Sequence, residues 1–252
     1  METKELKEQH INKKQSVYER ADEKAIDAAY DFAVDYMKYL DDAKTEREAV
    51  DAAIIIAEAA GFKPYTLGQS LSVGDKLYYN NRGKNLFLFT IGSENLENGI
   101  RISAAHIDSP RIDIKPVPLY EDEGMSFLKT HYYGGIRKYQ WLAIPLALHG
   151  VVIKADGTSV NVVIGEDDND PVLYINDLLP HLAANYNTKP LGSAIEGEKL
   201  NILVGSRPLG DEDNAIKLNT MKILNEKYGI VEEDFLTAEL SIVPAQKARD
   251  VG

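Results

Sequence analysis

The residues best suited to chemistry are His106 and Asp108, which stand two apart in the segment Ala104-Ala105-His106-Ile107-Asp108-Ser109-Pro110. The apolar residues 100–105 predict a strand that ends at His106. Side chains two apart on a strand point to the same side, so the imidazole and the carboxylate would leave the strand end together. A metal-bound imidazole usually donates its other N–H to a carboxylate, so this pair is suited to a metal site. Taken alone, the spacing favours the simpler interpretation, a surface or capping pair at a strand end.

The rest of the sequence offers few further candidates for a site. The chain has no cysteine, which excludes disulfides and thiolate metal sites and leaves histidines and carboxylates as the plausible ligands. His149 lies in an apolar run and is predicted to be a hydrogen-bonded interior residue. His131, among tyrosines and glycines, is predicted either to pack or to face the site. The acidic residues 166–170 lack the glycine and the closing glutamate of a calcium loop and predict a turn, and Glu232-Glu233 predicts a solvated loop.

Helices are predicted to come first along the chain and strands after them. Apolar residues at three-to-four spacing predict a helix over residues 21–40. A second helix begins at Thr45 and Glu48, which have the spacing of a capping box, and ends at Gly61. Residues 76–79 and 86–91 then predict two strands joined by a turn at residues 80–83.

The pattern changes again at Pro116 and Pro118. From there to Pro244, short apolar stretches alternate with turn residues, and one helix is predicted over residues 216–228, with Gly229 just past its end. We interpret residues 117–243 as a second, mainly β unit inserted into the first. Residues 1–116 precede this insertion, and residues 244–252 begin the return from it.

Composition excludes several classes of partner. The 252 residues are 44% hydrophobic and carry a formal charge of -12, as expected for a globular protein that is not attracted to nucleic-acid phosphates. The amino terminus is charged from its second residue, and the sequence has no apolar run of membrane-spanning length. We therefore expect a cytoplasmic protein without nucleic-acid or membrane partners.

Residues 104–116 resemble the signature of the aspartyl aminopeptidase / vacuolar aminopeptidase I family of dinuclear zinc metallopeptidases. The resemblance extends over essentially the whole chain and is closest to the bacterial, clostridial-type branch. Further segments follow in the family's order, namely residues 129–136, 145–152, 178–183 and 238–245.

The resemblance implies a fold and a set of site residues. The fold would be an α/β, three-layer zinc-peptidase catalytic domain, incomplete in this chain, with residues 117–243 as an inserted, mainly β dimerisation domain. Such enzymes remove N-terminal amino acids from peptides with two zinc ions. His106 matches the first zinc ligand, Asp108 matches the neighbouring catalytic aspartate, and His181 matches a histidine that binds substrate in the partner subunit's site. Family members form large homo-oligomers built from dimers.

Only residues 246–252 follow Pro244-Ala245, and the family's later catalytic residues have no counterpart in them. A catalytic zinc needs about three protein ligands, so we expect the 252-residue chain to be inactive by itself. The alternative is a non-catalytic dimerisation or regulatory fragment. A third hypothesis, an unrelated hydrolase that combines His106 and Asp108 with His131 or His149, has no support from spacing. The metal itself stays open, because histidine and carboxylate ligands also accept manganese or cobalt.

Overall fold

In the computed structural model, residues 3–251 are described, and helices precede strands along the chain. The helices of the first part are α1 (Thr3–His10), α2 (Val17–Arg20), α3 (Glu23–Asp42) and α4 (Glu46–Ala59). The strands are β1 (Lys63–Pro64), β2 (Lys76–Asn80), β3 (Leu86–Thr90), β4 (Arg111–Asp122), β5 (Met125–Tyr133), β6 (Leu146–Ile153), β7 (Ser159–Ile164), β8 (Ile202–Gly205) and β9 (Ala238–Pro244). Between β7 and β9 lie α5 (Ala184–Asn187), α6 (Leu191–Ala194) and α7 (Ala215–Tyr228). The predicted α/β class is confirmed.

The structure divides into two units, one of residues up to Asp41 together with those from Ala248 onward, and the other of residues 42–247. In the first unit, α3 matches the helix predicted over residues 21–40, whereas α1 was not predicted. None of the residues of α3 is buried, and Phe32 is 72% exposed and stacks on Tyr36. Asp41 accepts a hydrogen bond from the backbone N–H of Ala248 at 2.7 Å.

In the second unit, α4 begins with the predicted capping box. Thr45 accepts from the backbone N–H of Glu48, and Glu48 accepts from that of Thr45 at 2.9 Å. The helix buries Ala49, Val50 and other small residues on one side. A small sheet follows in the order β1-β2-β3, with β2 and β3 antiparallel as the predicted turn requires.

The larger sheet has six strands in the order β7-β6-β9-β4-β5-β8, and all of its neighbouring pairs are antiparallel. Its core contains fully buried aliphatic side chains, among them Ile112, Leu146, Val152, Ile202 and Ile242. The sheet is therefore stabilised chiefly by apolar burial between its strands and the elements that cover them. The helix α7 was predicted correctly, and Gly229, just past its end, has the left-handed conformation.

Strand β4 carries the prolines that were interpreted as the exit into the inserted unit. It pairs with β5 at both ends, but the register shifts between Ile114 and Leu119, around Pro116 and Pro118. Proline has no N–H to donate to a ladder, so a bulge is the expected result. The chain thus enters the larger sheet through a distorted continuous strand that begins at Arg111.

One outer edge of the larger sheet is β7, and a tyrosine from α7 covers part of it. The hydroxyl of Tyr228 donates to the carbonyl oxygen of Val163 at 2.5 Å and accepts from the N–H of Val163 at 3.2 Å. Both main-chain groups of Val163 are therefore satisfied by one side chain. Within residues 3–251, no helix has the length and apolar character needed to cross a membrane.

Candidate active site

His106 and Asp108 lie in an irregular segment rather than at the end of a strand. The predicted strand over residues 100–105 is wrong, because the described residues between β3 and β4 contain a short 3-10 helix, Leu96–Asn98, and no strand. A strand requires a ladder of hydrogen bonds to a neighbour. No neighbouring strand pairs with this segment in the described part of the chain.

The imidazole and the carboxylate are nevertheless close together. Nδ1 of His106 lies 2.9 Å from the backbone oxygen of Asp108 and 3.3 Å from its Oδ1. The side chain of His106 is 84% exposed, and that of Asp108 is 40% exposed. With Nδ1 directed at Asp108, the other ring nitrogen, Nε2, is the atom suited to bind a ligand.

A tyrosine outside the sequence motif contacts the same carboxylate. The hydroxyl of Tyr133, the last residue of β5, donates a hydrogen bond to Oδ2 of Asp108 at 3.1 Å. This hydrogen bond is the largest cause that lowers the pKa of Asp108, because it stabilises the charged form. The same bond raises the pKa of Tyr133, whose charged form would face the carboxylate.

Arg111, the first residue of β4, orders the surroundings of Tyr133. Its guanidinium lies 4.3 Å from the centre of the Tyr133 ring and binds Glu46 of α4 at 2.6 Å and Asp113 at 2.7 Å. Burial acts to lower the pKa of Arg111, but the two carboxylates outweigh this effect and raise it. Arg111 and Tyr133 are cross-strand neighbours in the antiparallel pair of β4 and β5.

The two site residues line an open cleft of about 500 Å³. Its other walls come from α4, from the turn before β3 together with the first residue of β3, and from the neighbours of His106. The lining residues are Glu46, Ala49, Val50, Ala53, Lys84, Asn85, Leu86, Ala105 and Ile107. The cleft thus combines an apolar helix face with an exposed imidazole and a carboxylate. This is an arrangement suited to binding a small polar ligand.

A cluster of charged residues joins α4 to the larger sheet. Glu48 Oε1 lies 2.7 Å from Nδ1 of His149, which is 3% exposed, as predicted for an interior histidine. Glu166 forms an ion pair with Lys44. It also lies 3.1 Å from Nε2 of His149, but the angle does not allow a hydrogen bond between them. Burial alone would raise the pKa of Glu48, but hydrogen bonds from His149 and Thr45 lower it. The cluster therefore fixes the helix that lines the cleft.

The other predicted residues lie away from these contacts. His131 stacks on Tyr132, but its side chain is 67% exposed. It is therefore less buried than the predicted packing role required. His181 is exposed in a turn beside the exposed Leu179 and Leu182. Glu233 is exposed in a short 3-10 helix, as the solvated interpretation predicted.

Only part of a zinc site can be built from these residues. An imidazole and a nearby carboxylate are donor types that zinc accepts. A catalytic zinc takes three protein ligands, however, and among residues 3–251 no group of three or more histidine and carboxylate side chains is placed to hold a metal ion. The chain fits one corner of such a site.

Sequence reasoning named His106 and Asp108 as candidates but did not name Tyr133, Arg111 or Glu46, which the structure places beside them. Arg111 and Tyr133 lie in segments that resemble the family, residues 104–116 and 129–136, but this resemblance says nothing about their neighbours in space. The pairing of Arg111 with Tyr133 follows from the strand register, and the contact with Glu46 joins residues 65 apart in the chain.

Comparison with known proteins identifies related chains. The family model for the aminopeptidase I zinc metalloprotease (M18) matches residues 39–252. A probable M18 family aminopeptidase 1 from Clostridium acetobutylicum is 51% identical over 243 residues, which is 94% of this chain and 52% of the relative. One from Thermotoga maritima is 45% identical over 222 residues, 88% of this chain and 49% of the relative. The chain spans about half the length of these curated relatives.

Solved structures show the same fold. The M18 family aminopeptidase from Thermotoga maritima superposes with a TM-score of 0.88 at 42% identity, over 96% of this chain and 52% of that one. Aminopeptidase I from Clostridium acetobutylicum gives 0.85 at 45% identity, over 96% and 55%. The S. cerevisiae mApe1 dodecamer gives 0.62 at 20% identity, over 86% and 49%, which shows likeness of fold alone.

Proposed function

Because this chain belongs to the M18 family of aminopeptidase I zinc metalloproteases, we propose that it contributes to an enzyme that removes N-terminal amino acids from peptides. His106 is the zinc ligand and Asp108 the neighbouring catalytic aspartate in this proposal. The observation that carries it is the contact between the two side chains on the wall of an open cleft, with Nδ1 of His106 3.3 Å from Oδ1 of Asp108.

The residues of this chain would perform definite tasks in the reaction. Asp108 holds the Nδ1 side of His106 and so orients the ring, and His106 would be the residue that holds zinc. When bound, zinc supplies a Lewis acid that polarises the scissile carbonyl and lowers the pKa of water. The side of α4 that carries Ala49 and Val50 forms an apolar wall of the cleft beside these polar groups.

We propose that the 252 residues do not hydrolyse peptides by themselves. His106 and Asp108 supply fewer ligands than the three that a catalytic zinc usually takes. The curated relatives are about twice as long as the part that this chain matches. The remaining ligands would then come from polypeptide equivalent to the unmatched half of those relatives.

The test is complementation in trans. We expect the 252-residue chain to release no N-terminal amino acid from a short peptide with zinc, whereas the same chain co-expressed with the second half of the Clostridium acetobutylicum relative should do so. Asp108→Asn in the complex should lower the rate by about 10- to 100-fold, because the ligand ring loses its orienting partner. His106→Ala should abolish it.

The matched control is His10→Ala, which removes an exposed histidine at the end of α1 and should leave the rate unchanged. Chelator-sensitive release by the 252-residue chain alone would contradict the proposal of a partial site. Full activity of the His106→Ala complex would remove His106 from the zinc ligands.

We further propose that residues 117–243 form a dimerisation domain and that His181 binds substrate in the partner subunit's site. The exposure of His181 beside Leu179 and Leu182 supports a contact with another chain, since clustered exposed apolar side chains are typical of interaction surfaces. The solved structure of S. cerevisiae mApe1, which has a related fold, is that of a dodecamer. His181→Ala should raise the KM of the complemented enzyme more than it lowers kcat.

A second candidate function is that of a non-catalytic dimerisation or regulatory fragment. It is favoured by the larger sheet, whose buried core is formed within β4 to β9. Light scattering on the purified chain tests this candidate, because a dimerisation fragment requires a stable dimer. A strictly monomeric chain would contradict it.

We propose two zinc ions per complete site and a cytoplasmic location. The cytoplasm is supported by the absence of cysteine, which is typical of proteins in reducing compartments. Metal analysis of the complemented complex should give about two zinc ions per site. Loss of about one of them in His106→Ala is the expected result.

A further inference from the structure

The orientation of the Asp108 carboxylate is set by hydrogen bonds rather than by packing. Its side chain is 40% exposed and belongs to a segment without regular structure. Its two oxygens have different partners, since Oδ1 faces Nδ1 of His106 at 3.3 Å and Oδ2 accepts from the Tyr133 hydroxyl at 3.1 Å. Fixing Oδ2 therefore also fixes the direction of Oδ1 toward the imidazole.

Tyr133 is itself held in place by ordered structure. It ends β5 opposite Arg111 of β4, and the guanidinium of Arg111 lies 4.3 Å from the centre of its ring. The Arg111 side chain is only 11% exposed and is fixed by Glu46 and Asp113. Asp113 in turn accepts a hydrogen bond from Ser241 of β9 at 2.8 Å. A chain of contacts thus runs from the larger sheet to the Tyr133 hydroxyl.

The neighbouring tyrosine has a different environment. Tyr132 stacks on His131, with ring centres 5.7 Å apart, and its ring lies against Gly197. Adjacent residues of a strand point to opposite faces, so Tyr132 and Tyr133 sample different surroundings. The contact with Asp108 is therefore specific to Tyr133 and provides a matched control.

We propose that Tyr133 is a positioning residue for Asp108, whose hydroxyl holds the carboxylate against His106 and so links the end of strand β5 to the site. The importance of this link for chemistry rests on the function proposed above for Asp108. The link itself is a property of the 252-residue chain without metal or substrate.

The test is Tyr133→Phe, which removes the hydroxyl but keeps the ring under Arg111. In the wild-type chain, three-bond NMR couplings of Asp108 should report one side-chain rotamer. In Tyr133→Phe they should move toward the average of several rotamers, and in the control, Tyr132→Phe, they should not change. Unchanged couplings in Tyr133→Phe would overturn the inference.

A second variant tests the same bond from its other side. Asp108→Asn removes the negative charge that the Tyr133 hydroxyl faces, so the titration of Tyr133, followed by the NMR signal of its ring carbon Cζ, should move down toward the ordinary value of 10.0. A titration that does not move would overturn the inference. Both measurements use the metal-free chain, so a failed complementation assay leaves them unaffected and can be distinguished from them.

Discussion

Glu48 has two roles in the first turn of α4. Its Oε2 accepts from the backbone N–H of Thr45 at 2.9 Å, and its Oε1 lies 2.7 Å from Nδ1 of the buried His149. Burial raises the pKa of Glu48, but the hydrogen bonds from His149 and Thr45 outweigh burial, and the pKa lies below its ordinary value of 4.5. The charged carboxylate is therefore stabilised by the folded protein.

The pH dependence of stability follows from this shift. A carboxylate with a lowered folded pKa stabilises the fold above its unfolded pKa, and this contribution is lost as the pH falls through the folded pKa. Glu48→Gln should lower the free energy of unfolding by roughly 1–3 kcal/mol at pH 7, and the difference from wild type should shrink below pH 4.5. Urea unfolding at several pH values measures this.

The control for Glu48→Gln is Asp51→Asn, which neutralises an exposed carboxylate on the same helix. We expect a change within about 0.5 kcal/mol at every pH. A Glu48→Gln difference that stays constant as the pH falls would show that the carboxylate charge does not stabilise the fold.

At this scale, local patterns were predictable from the sequence and distant contacts were not. The capping box follows from the spacing of Thr45 and Glu48, and the apolar run around His149 predicts its burial. Glu48 and His149 are 101 residues apart, so nothing local indicates that they meet. Polar contacts of this kind depend on how whole elements pack.

Among the elements, β6 depends on a single glycine. Gly150 has a φ of +143°, and a Cβ added there would lie 1.9 Å from the backbone oxygen of Glu239 in β9. Gly150→Ala should therefore push β6 and β9 apart and cost at least about 3 kcal/mol of stability. Thermal unfolding followed by circular dichroism measures the loss.

The matched control is Gly92→Ala, because a Cβ at Gly92 meets nothing within 4 Å and its backbone is not in the left-handed region. We expect a change within about 0.5 kcal/mol. Equal stability of Gly150→Ala and wild type would contradict this prediction, because it would mean that β6 and β9 can move apart at residue 150 without loss of stability.

Strand β4 shows why the register around the site could not be predicted. The turn after Asp122 pairs this residue with Met125, and a regular hairpin continued from there would place Ile136 opposite Arg111. The bulge around Pro116 and Pro118 instead places Tyr133 there. The prolines indicate that a distortion occurs, but its size depends on the packing of the whole strand.

In the molecule as a whole, the two sheets differ in how well they are covered. The larger sheet contains the main cluster of buried aliphatic side chains. In the smaller sheet, Phe87 and Leu88 of β3 are exposed. Hydrogen exchange followed by mass spectrometry should therefore show amides of β6 and β9 exchanging about 100-fold more slowly than those of β2 and β3. Similar rates in both sheets would contradict this difference.

The change in sequence pattern over residues 117–243 predicts an inserted unit, and β4 crosses the predicted boundary at residue 116. The strand order β7-β6-β9-β4-β5-β8 could not be predicted from the sequence, since it brings β4 beside β9 from the opposite end of that segment. The predicted strand before His106 failed for a related reason, because a strand is stable only beside another strand. The residues before His106 favour an extended backbone, but their sequence cannot indicate whether another strand will lie beside them and pair with them.

The hydroxyl of Tyr228 limits the ways in which this protein can grow into larger assemblies. By occupying both main-chain groups of Val163, it removes the template that an incoming strand would need at that point of β7. An added strand could form main-chain hydrogen bonds at Val163 only after the Tyr228 side chain had moved away.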